Sequence, residues 1–321
     1  MARKTSPPPV ALHLSLPASS ANLGPAFDAA ALAMDFYLQI NARPAASFSI
    51  SATGRDREIC GNLNDHLILS TYREVLEAGG NEIIPLALRI RNDIPIGKGC
   101  GSSAAARVAG IALAVHFGHL RWTDAQIVGD ASRREHHPDN ASACWWGGLT
   151  VARMSGAAEA QVVSLPPKGK WPLLLAIPDA ALSTEDARRA LPAQYSRADA
   201  VANVQNAMLL LAAFTERRPD LLSAALEDRL HQPYRAPLCP LLPCLQPLGG
   251  KENILGAVLS GAGPAVLIFI HPRASARKVR DFVAAHLAHN GLSAELLLTA
   301  IAPSGARGSF ARAGRRGAAA R

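Results

Sequence analysis

The sequence predicts a two-domain α+β protein, on three observations. Its 321 residues, 49% of them hydrophobic, suffice for one large or two ordinary cores, and two is the usual count at this length. The first hundred residues alternate apolar and polar side chains in the strand manner, interrupted by one amphipathic helix. A second run of strands and helices begins near Trp171, after a boundary expected within residues 155–170.

The elements follow in order. Residues 11–16 and 36–42 alternate as strands, and 47–52 can pair beside them. A helix is expected over 64–77, where Leu67, Ile68, Tyr72, Val75 and Leu76 form an apolar stripe and Gly79-Gly80 a stop. Residues 86–91 read as a strand leading into a loop of three glycines and two serines, then into an alanine-rich helix that runs to about Phe117. Thr123-Asp124 marks a further helix start, and a strand is expected over 149–153. In the second half, 173–177 is an apolar strand and 196–229 hold two long helical patterns. Strands at 254–259 and 266–270 flank the turn Ser260-Gly261-Ala262-Gly263-Pro264, and a helix over 274–289 and a strand over 294–300 close the layer.

Composition narrows the function class. Gly, His or charged residues break every apolar stretch before the 18 or so residues of a membrane span, and the start has no apolar core for a signal peptide, so a cytoplasmic protein is expected. The five cysteines are scattered without Cys-x-x-Cys spacing and read as reduced thiols. Arg3 and Lys4 at the start and Arg307, Arg312, Arg315, Arg316 and Arg321 at the end hold nearly all of the net charge of +8. Residues 1–10 and 304–321 are expected to be disordered, and the tail, with Phe310 as its one aromatic residue, makes a weak case for nucleic acid.

The glycine loop carries the chemistry. Gly97, Gly99 and Gly101 let backbone N–H groups crowd together, and Ser102, Ser103 and the alanines open a helix whose first amides have no internal partner, so the segment suits a polyphosphate. It is not a Walker A sequence, since no Lys-Ser or Lys-Thr pair closes it. Gly99-x-Gly101-x-x-Ala104 also fits a dinucleotide fingerprint, but Asp124, at the required distance, follows Trp122-Thr123 at a helix start rather than a strand end. Two further segments are candidates. Pro17 to Asp28 places Asn22 and Asp28 in a tight, small-residue turn suited to a small polar substrate. Glu135-His136-His137-Pro138-Asp139-Asn140 offers a carboxylate suited to Mg²⁺, whereas its neighbouring histidines lack zinc spacing.

These motifs resemble those of the GHMP-type small-molecule kinases, over residues 11–303. Pro17 to Asp28 is similar to the family's first motif, Pro95 to Ala105 to its nucleotide loop, and Ser260 to Pro264 to its third. Within the superfamily the homoserine kinases are the most similar, through 135–140, Ala187-Arg188-Arg189-Ala190-Leu191-Pro192 and Asp228-Arg229-Leu230-His231-Gln232-Pro233-Tyr234-Arg235.

The resemblance implies a GHMP kinase fold. An N-terminal half (11–165) like ribosomal protein S5 domain 2 would bind ATP, and a ferredoxin-like half (166–303) would follow. It implies ATP- and Mg²⁺-dependent phosphorylation of the side-chain hydroxyl of L-homoserine, on the route to threonine, by a homodimer.

The same resemblance implies residue roles. Pro95, Ile96, Gly97, Lys98, Gly99, Cys100, Gly101, Ser102, Ser103, Ala104 and Ala105 would wrap the nucleotide, and Ser102 or Ser103 with Glu135 would hold the metal. Asn22, Asp28, His137, Asp139, Asn140, Arg188, Arg235 and Gly261 would surround the amino acid, with Asn22, Asp28, Asn140 and Arg188 closest to the chemistry. Four positions depart from the pattern: Cys100 stands for a leucine, Ala26 and His136 for glycines, and His66 for an asparagine near the adenine. Asp28 is expected to orient the substrate without a strong base, and Cys100 to make the loop sensitive to thiol reagents. The rival readings are another small-alcohol kinase of the superfamily and a non-catalytic nucleotide- or RNA-binding protein.

Overall fold

The computed structural model describes residues 11–156 and 159–311. The chain opens with a long hairpin of β1 (Leu12–Asn22) and β2 (Ala26–Pro44), in register from Leu12 opposite Ala42 to Asn22 opposite Ala26. β3 (Ser49–Gly54), α1 (Arg57–Gly61), α2 (Leu67–Ala78) and β4 (Leu86–Asn92) follow, then α3 (Ser102–Phe117), α4 (Asp124–Glu135), α5 (Asp139–Trp146), β5 (Leu149–Ser155) and β6 (Glu159–Leu165). The first sheet runs β3-β4-β2-β5-β6 with β1 also on β2. Its ladders are antiparallel except β3 with β4.

The second half contains β7 (Pro172–Ile177), α6 (Thr184–Arg189), α7 (Arg197–Glu216), α8 (Leu222–Ala225), α9 (Gln232–Arg235) and α10 (Leu241–Leu245). It closes with β8 (Ile254–Leu259), β9 (Val266–Ile270), α11 (Ala276–His289) and β10 (Glu295–Ala300). Its antiparallel sheet runs β10-β7-β9-β8. One face, with Leu174, Ala176 and Ile268, packs on α10 and α11; Leu173, Leu175 and Phe269 on the other join the cluster that fills the first half. The two halves therefore share a core, which fixes the cleft between them.

Three expectations need correction. The first motif is strand as far as Asn22, and the turn is confined to the next three residues; the small side chains of Ala18, Ser19, Ser20 and Ala21 let the strand be covered on both faces, all four being buried. Residues 196–229 hold one long helix, not two: Arg217 caps α7 in the left-handed conformation and Pro219 starts a 3-10 turn before the four-residue α8. The start of the basic tail is ordered, since residues 306–311 form a helical turn, Phe310 packs at a tilt on Trp145 with 5.5 Å between ring centroids, and Arg307 pairs with Asp124 at 2.6 Å. Residues 1–10 and 312–321 lie outside the described residues.

Candidate active site

A cleft of about 570 Å³ lies where the glycine loop meets the second half. Gly97, Gly99 and Gly101 have φ of +71°, +76° and +72°, the left-handed region that favours glycine. A Cβ on Gly99 would lie 2.1 Å from the Ser260 carbonyl oxygen, and one on Gly101 2.0 Å from Ser19 Oγ. The loop carbonyls are held from behind: Ser260 Oγ donates to Gly99 O at 2.8 Å and the Ser19 amide to Cys100 O at 3.1 Å. In trans peptides this turns the following N–H groups the other way, toward the start of α3, which has no side-chain cap. Unpartnered donors and the positive end of a 16-residue helix thus converge on the cleft.

Lys98 and Cys100 depart from what the loop's sequence suggests. Lys98 Nζ reaches away to the carbonyls of Asp179 and Ala180, the latter at 2.9 Å. Cys100 is 1% exposed, and burial pushes its thiol up to about 12, so the expected sensitivity to thiol reagents has no reactive thiolate behind it.

The other departures leave the backbone in place. His136 closes α4 with φ +68°, the shape a glycine would take there, and Ala26 begins β2 in extended backbone that needs no glycine. At the apolar end of the cleft, near Ile68 and Ile90, His66 Nε2 bonds to Cys60 O at 3.1 Å. That bond to an acceptor makes Nε2 the protonated nitrogen, and burial lowers the ring's pKa.

Glu135, at the end of α4, faces the start of α3. Its Oε1 accepts from Ser103 Oγ at 2.7 Å and from Arg107 Nε at 2.5 Å. Two hard oxygen donors side by side at the uncapped start of α3 fit Mg²⁺, with Arg107, one turn beyond Ser103, bracing the carboxylate from outside the cleft. Sequence reasoning missed Arg107, although its i+4 spacing from Ser103 was there to read.

The amino-acid side is built from residues distant in sequence. Asn22 is engaged at both ends, donating to Gly261 O at 2.9 Å and accepting from the Asp28 amide at 2.9 Å, so it ties the first motif to the third. Asp28 pairs with Arg188 at 2.8 Å, each side chain about one-third exposed. Asn140 accepts from Ser19 Oγ at 2.8 Å. His137 Nδ1 bonds to Asp139 Oδ1 at 2.6 Å, and because a carboxylate only accepts, the proton sits on Nδ1 and leaves Nε2 as an acceptor. Burial lowers the His137 pKa, but the bond to Asp139 and the charges of Asp139, Asp28 and Glu135 raise it by more, giving a net increase. Asp28, His137 and Asp139 each place a ligand-type atom within 4.8 Å of the others. Asp28 is held by Arg188 and His137 Nδ1 by Asp139, so these groups already have partners within the chain.

Arg235 is 1% exposed; its Nε donates to Ala187 O at 3.0 Å and its Nη1 to His231 Nδ1 at 3.2 Å. Both guanidinium groups lie over the Phe27 ring, Arg188 at 5.6 Å and Arg235 at 5.4 Å from its centroid. His231 Nε2 donates to Gly24 O at 2.8 Å, so the ring is neutral with both nitrogens used. Burial, aided by the Arg235 charge and opposed by Asp228, brings its pKa down to about 4.

An acid-stability prediction follows from His231. Between about 6.5 and about 4 the unfolded chain binds the His231 proton and the folded chain does not, so stability falls as pH drops through that window. Thermal melts of His231→Gln should show a shallower loss between pH 7 and 4.5 than the parent; an unchanged slope would remove His231 as the cause.

The family described as GHMP kinases N terminal domain matches residues 66–148, and GHMP kinases C terminal matches 210–289. The homoserine kinase of Solibacter usitatus is 44% identical over 259 residues, covering 80% of this chain and 84% of that one. The chain belongs to the homoserine kinase family. A second relative, the homoserine kinase of a Synechococcus strain, is 35% identical over 92% of this chain and 96% of its own length. The crystal structure of homoserine kinase from Cytophaga hutchinsonii superposes with a TM-score of 0.78 at 22% identity, covering 95% of this chain and 98% of that one, which shows the family fold. L. major mevalonate kinase in complex with R-mevalonate shares the fold more distantly, with a TM-score of 0.68 at 15% identity over 94% of this chain and 99% of that one. The α+β GHMP kinase fold expected from the motifs is the fold found.

Proposed function

We propose that this chain transfers the γ-phosphoryl group of ATP to the side-chain hydroxyl of L-homoserine, giving O-phospho-L-homoserine on the route to threonine. The observation that carries the acceptor is the Asp28–Arg188 pair beside the phosphate loop. A zwitterionic amino acid exchanges that pair for two of the same kind, its ammonium on Asp28 and its carboxylate on Arg188 and the buried Arg235. A hydroxy acid without an ammonium strands Asp28, and a neutral sugar offers no charge for either side, so both are disfavoured by the cost of unpaired charge. The relatives named homoserine kinase point to the same acceptor.

The residues then have distinct work. The loop amides and the start of α3 hold the phosphates. Ser102 or Ser103 with Glu135 would hold Mg²⁺, which when bound neutralises phosphate charge. His137 Nε2 accepts the proton of the substrate hydroxyl, whose oxygen bonds to the γ-phosphorus as ADP departs with the electrons of the broken bond. Asp139 keeps the imidazole in the required tautomer. Among the described residues, no helix is long and apolar enough to cross a membrane. We place the enzyme in the cytoplasm as a homodimer, as the sequence resemblance implies.

Arg188→Ala tests the acceptor site. KM for L-homoserine should rise about 10- to 100-fold, the loss of a charge-assisted contact, with KM for ATP roughly unchanged and the product identified as O-phospho-L-homoserine by phosphorus NMR. Equal weakening of ATP would move the clamp elsewhere.

A further inference from the structure

Lys98 is the lysine of the phosphate loop, yet its ammonium is turned out of it. Nζ spans the gap between the halves and donates to the carbonyls of Asp179 and Ala180. The same stretch is stitched to the loop by a backbone bond, the Leu182 amide to Gly97 O at 3.3 Å. Immediately beyond, Ser183 caps α6, accepting from the Asp186 amide at 3.0 Å, and α6 carries Arg188. From the far side of α6, Arg235 Nε holds the Ala187 carbonyl at 3.0 Å.

Helix α6 has only six residues and buries just Ala187, so its own packing does little to fix it. Its position is set by these tethers at either end. Resting on the acceptor site proposed above, we propose that Lys98 is a positioning residue. It holds the 178–182 segment on the nucleotide loop, sets where Arg188 meets the substrate carboxylate, and couples occupancy of the phosphate loop to affinity for the amino acid.

The chemistry supports a strap rather than a structural ion pair. Both named partners are neutral carbonyls, which hold an ammonium by dipole and do not themselves neutralise its charge at the loop's edge. Phosphate arriving at Gly97–Gly101 therefore meets a cation already fixed to the other half. The pull between them draws the 178–182 segment onto the loop and steadies α6. Arginine, a planar fork, can still span two carbonyls, whereas methionine matches the length and supplies no donor.

The test is calorimetric binding, with turnover measured alongside. L-Homoserine is titrated into the full chain, alone and with the non-hydrolysable ATP analogue AMPPNP and Mg²⁺, for the parent, Lys98→Met and Lys98→Arg. The parent should bind L-homoserine more tightly with the analogue present. Lys98→Met should weaken L-homoserine by about tenfold even without the analogue and abolish that enhancement, with a clearly smaller loss of analogue affinity from the missing pull, and Lys98→Arg should restore most of both. Parallel loss of analogue and amino-acid affinity would make Lys98 a plain phosphate ligand and overturn the proposal, as would Lys98→Met binding L-homoserine like the parent. Failure of the parent to bind L-homoserine at all would instead overturn the acceptor assignment, so the two readings fail separately.

Discussion

His137→Gln is expected to lower kcat by about 10²–10⁴ with nucleotide binding intact, the range lost when a positioned proton acceptor is removed. The expectation comes from the orientation of the imidazole. Asp139, 1% exposed, accepts a hydrogen bond from His137 Nδ1–H at 2.6 Å and another from the Asn140 backbone amide at 2.6 Å, so its carboxylate is fixed. That leaves Nε2 as the acceptor within a cluster that includes Asp28. The pH profile supplies a second readout. The His137 pKa is raised, so kcat should climb with pH as the imidazolium deprotonates above its ordinary 6.5. Asp139→Asn, removing the main upward contribution, should shift that limb to lower pH while reducing kcat. A His137→Gln enzyme with near-parental kcat would show that the hydroxyl proton leaves without His137.

Gly99→Ala is expected to cost on the order of 3 kcal/mol of stability and to abolish nucleotide binding. A methyl there meets two backbone oxygens, Ser260 O at 2.1 Å and Gly263 O at 2.8 Å, and neither can swing aside as a side chain could. To that crowding, about 1–3 kcal/mol in packed interiors, is added about 1–2 kcal/mol for an L-residue held at φ +76°. Gly97→Ala is the control. Its nearest neighbour is Ala181 Cβ at an ordinary 3.5 Å, so only the backbone term applies. Urea unfolding of both variants, with calorimetric titration of AMPPNP, measures the difference; equal, small losses would mean that the third motif does not press on the loop as described.

The parts legible in the sequence were those encoded locally. Three glycines followed by Ser102-Ser103 and alanines announce a tight loop opening a helix, and the stripe Leu67, Ile68, Tyr72, Val75 and Leu76 is the buried face of α2. What was not legible depends on chain segments far apart. Asp28 and Arg188, 160 positions apart, can be suspected singly, but their pairing is a property of the closed cleft. Asn22 can be suspected of touching the substrate from its residue type alone, but that both ends of its amide are also tied to backbone is visible only in the structure.

The same holds for the first motif and the tail. Ala18 to Ala21 have the composition of a turn, and they are strand because other elements come close enough to cover both faces. The start of the tail, composed like the rest of it, is ordered where Trp145 and Asp124 supply partners for Phe310 and Arg307. His137 and Asp139, two residues apart, give no indication in the sequence of facing each other; Pro138 and the first turn of α5 bring them together.

The central claim is that this cleft phosphorylates the hydroxyl of a zwitterionic amino acid. The most direct measurement is ADP release from MgATP by the purified full chain with L-homoserine, run beside L-serine, L-threonine, mevalonate and galactose. The account predicts turnover with L-homoserine far above the rate without acceptor, and little with mevalonate or galactose, which leave Asp28 or both partners of the Asp28–Arg188 pair without a counter-charge. Turnover with mevalonate or galactose and none with L-homoserine would contradict it.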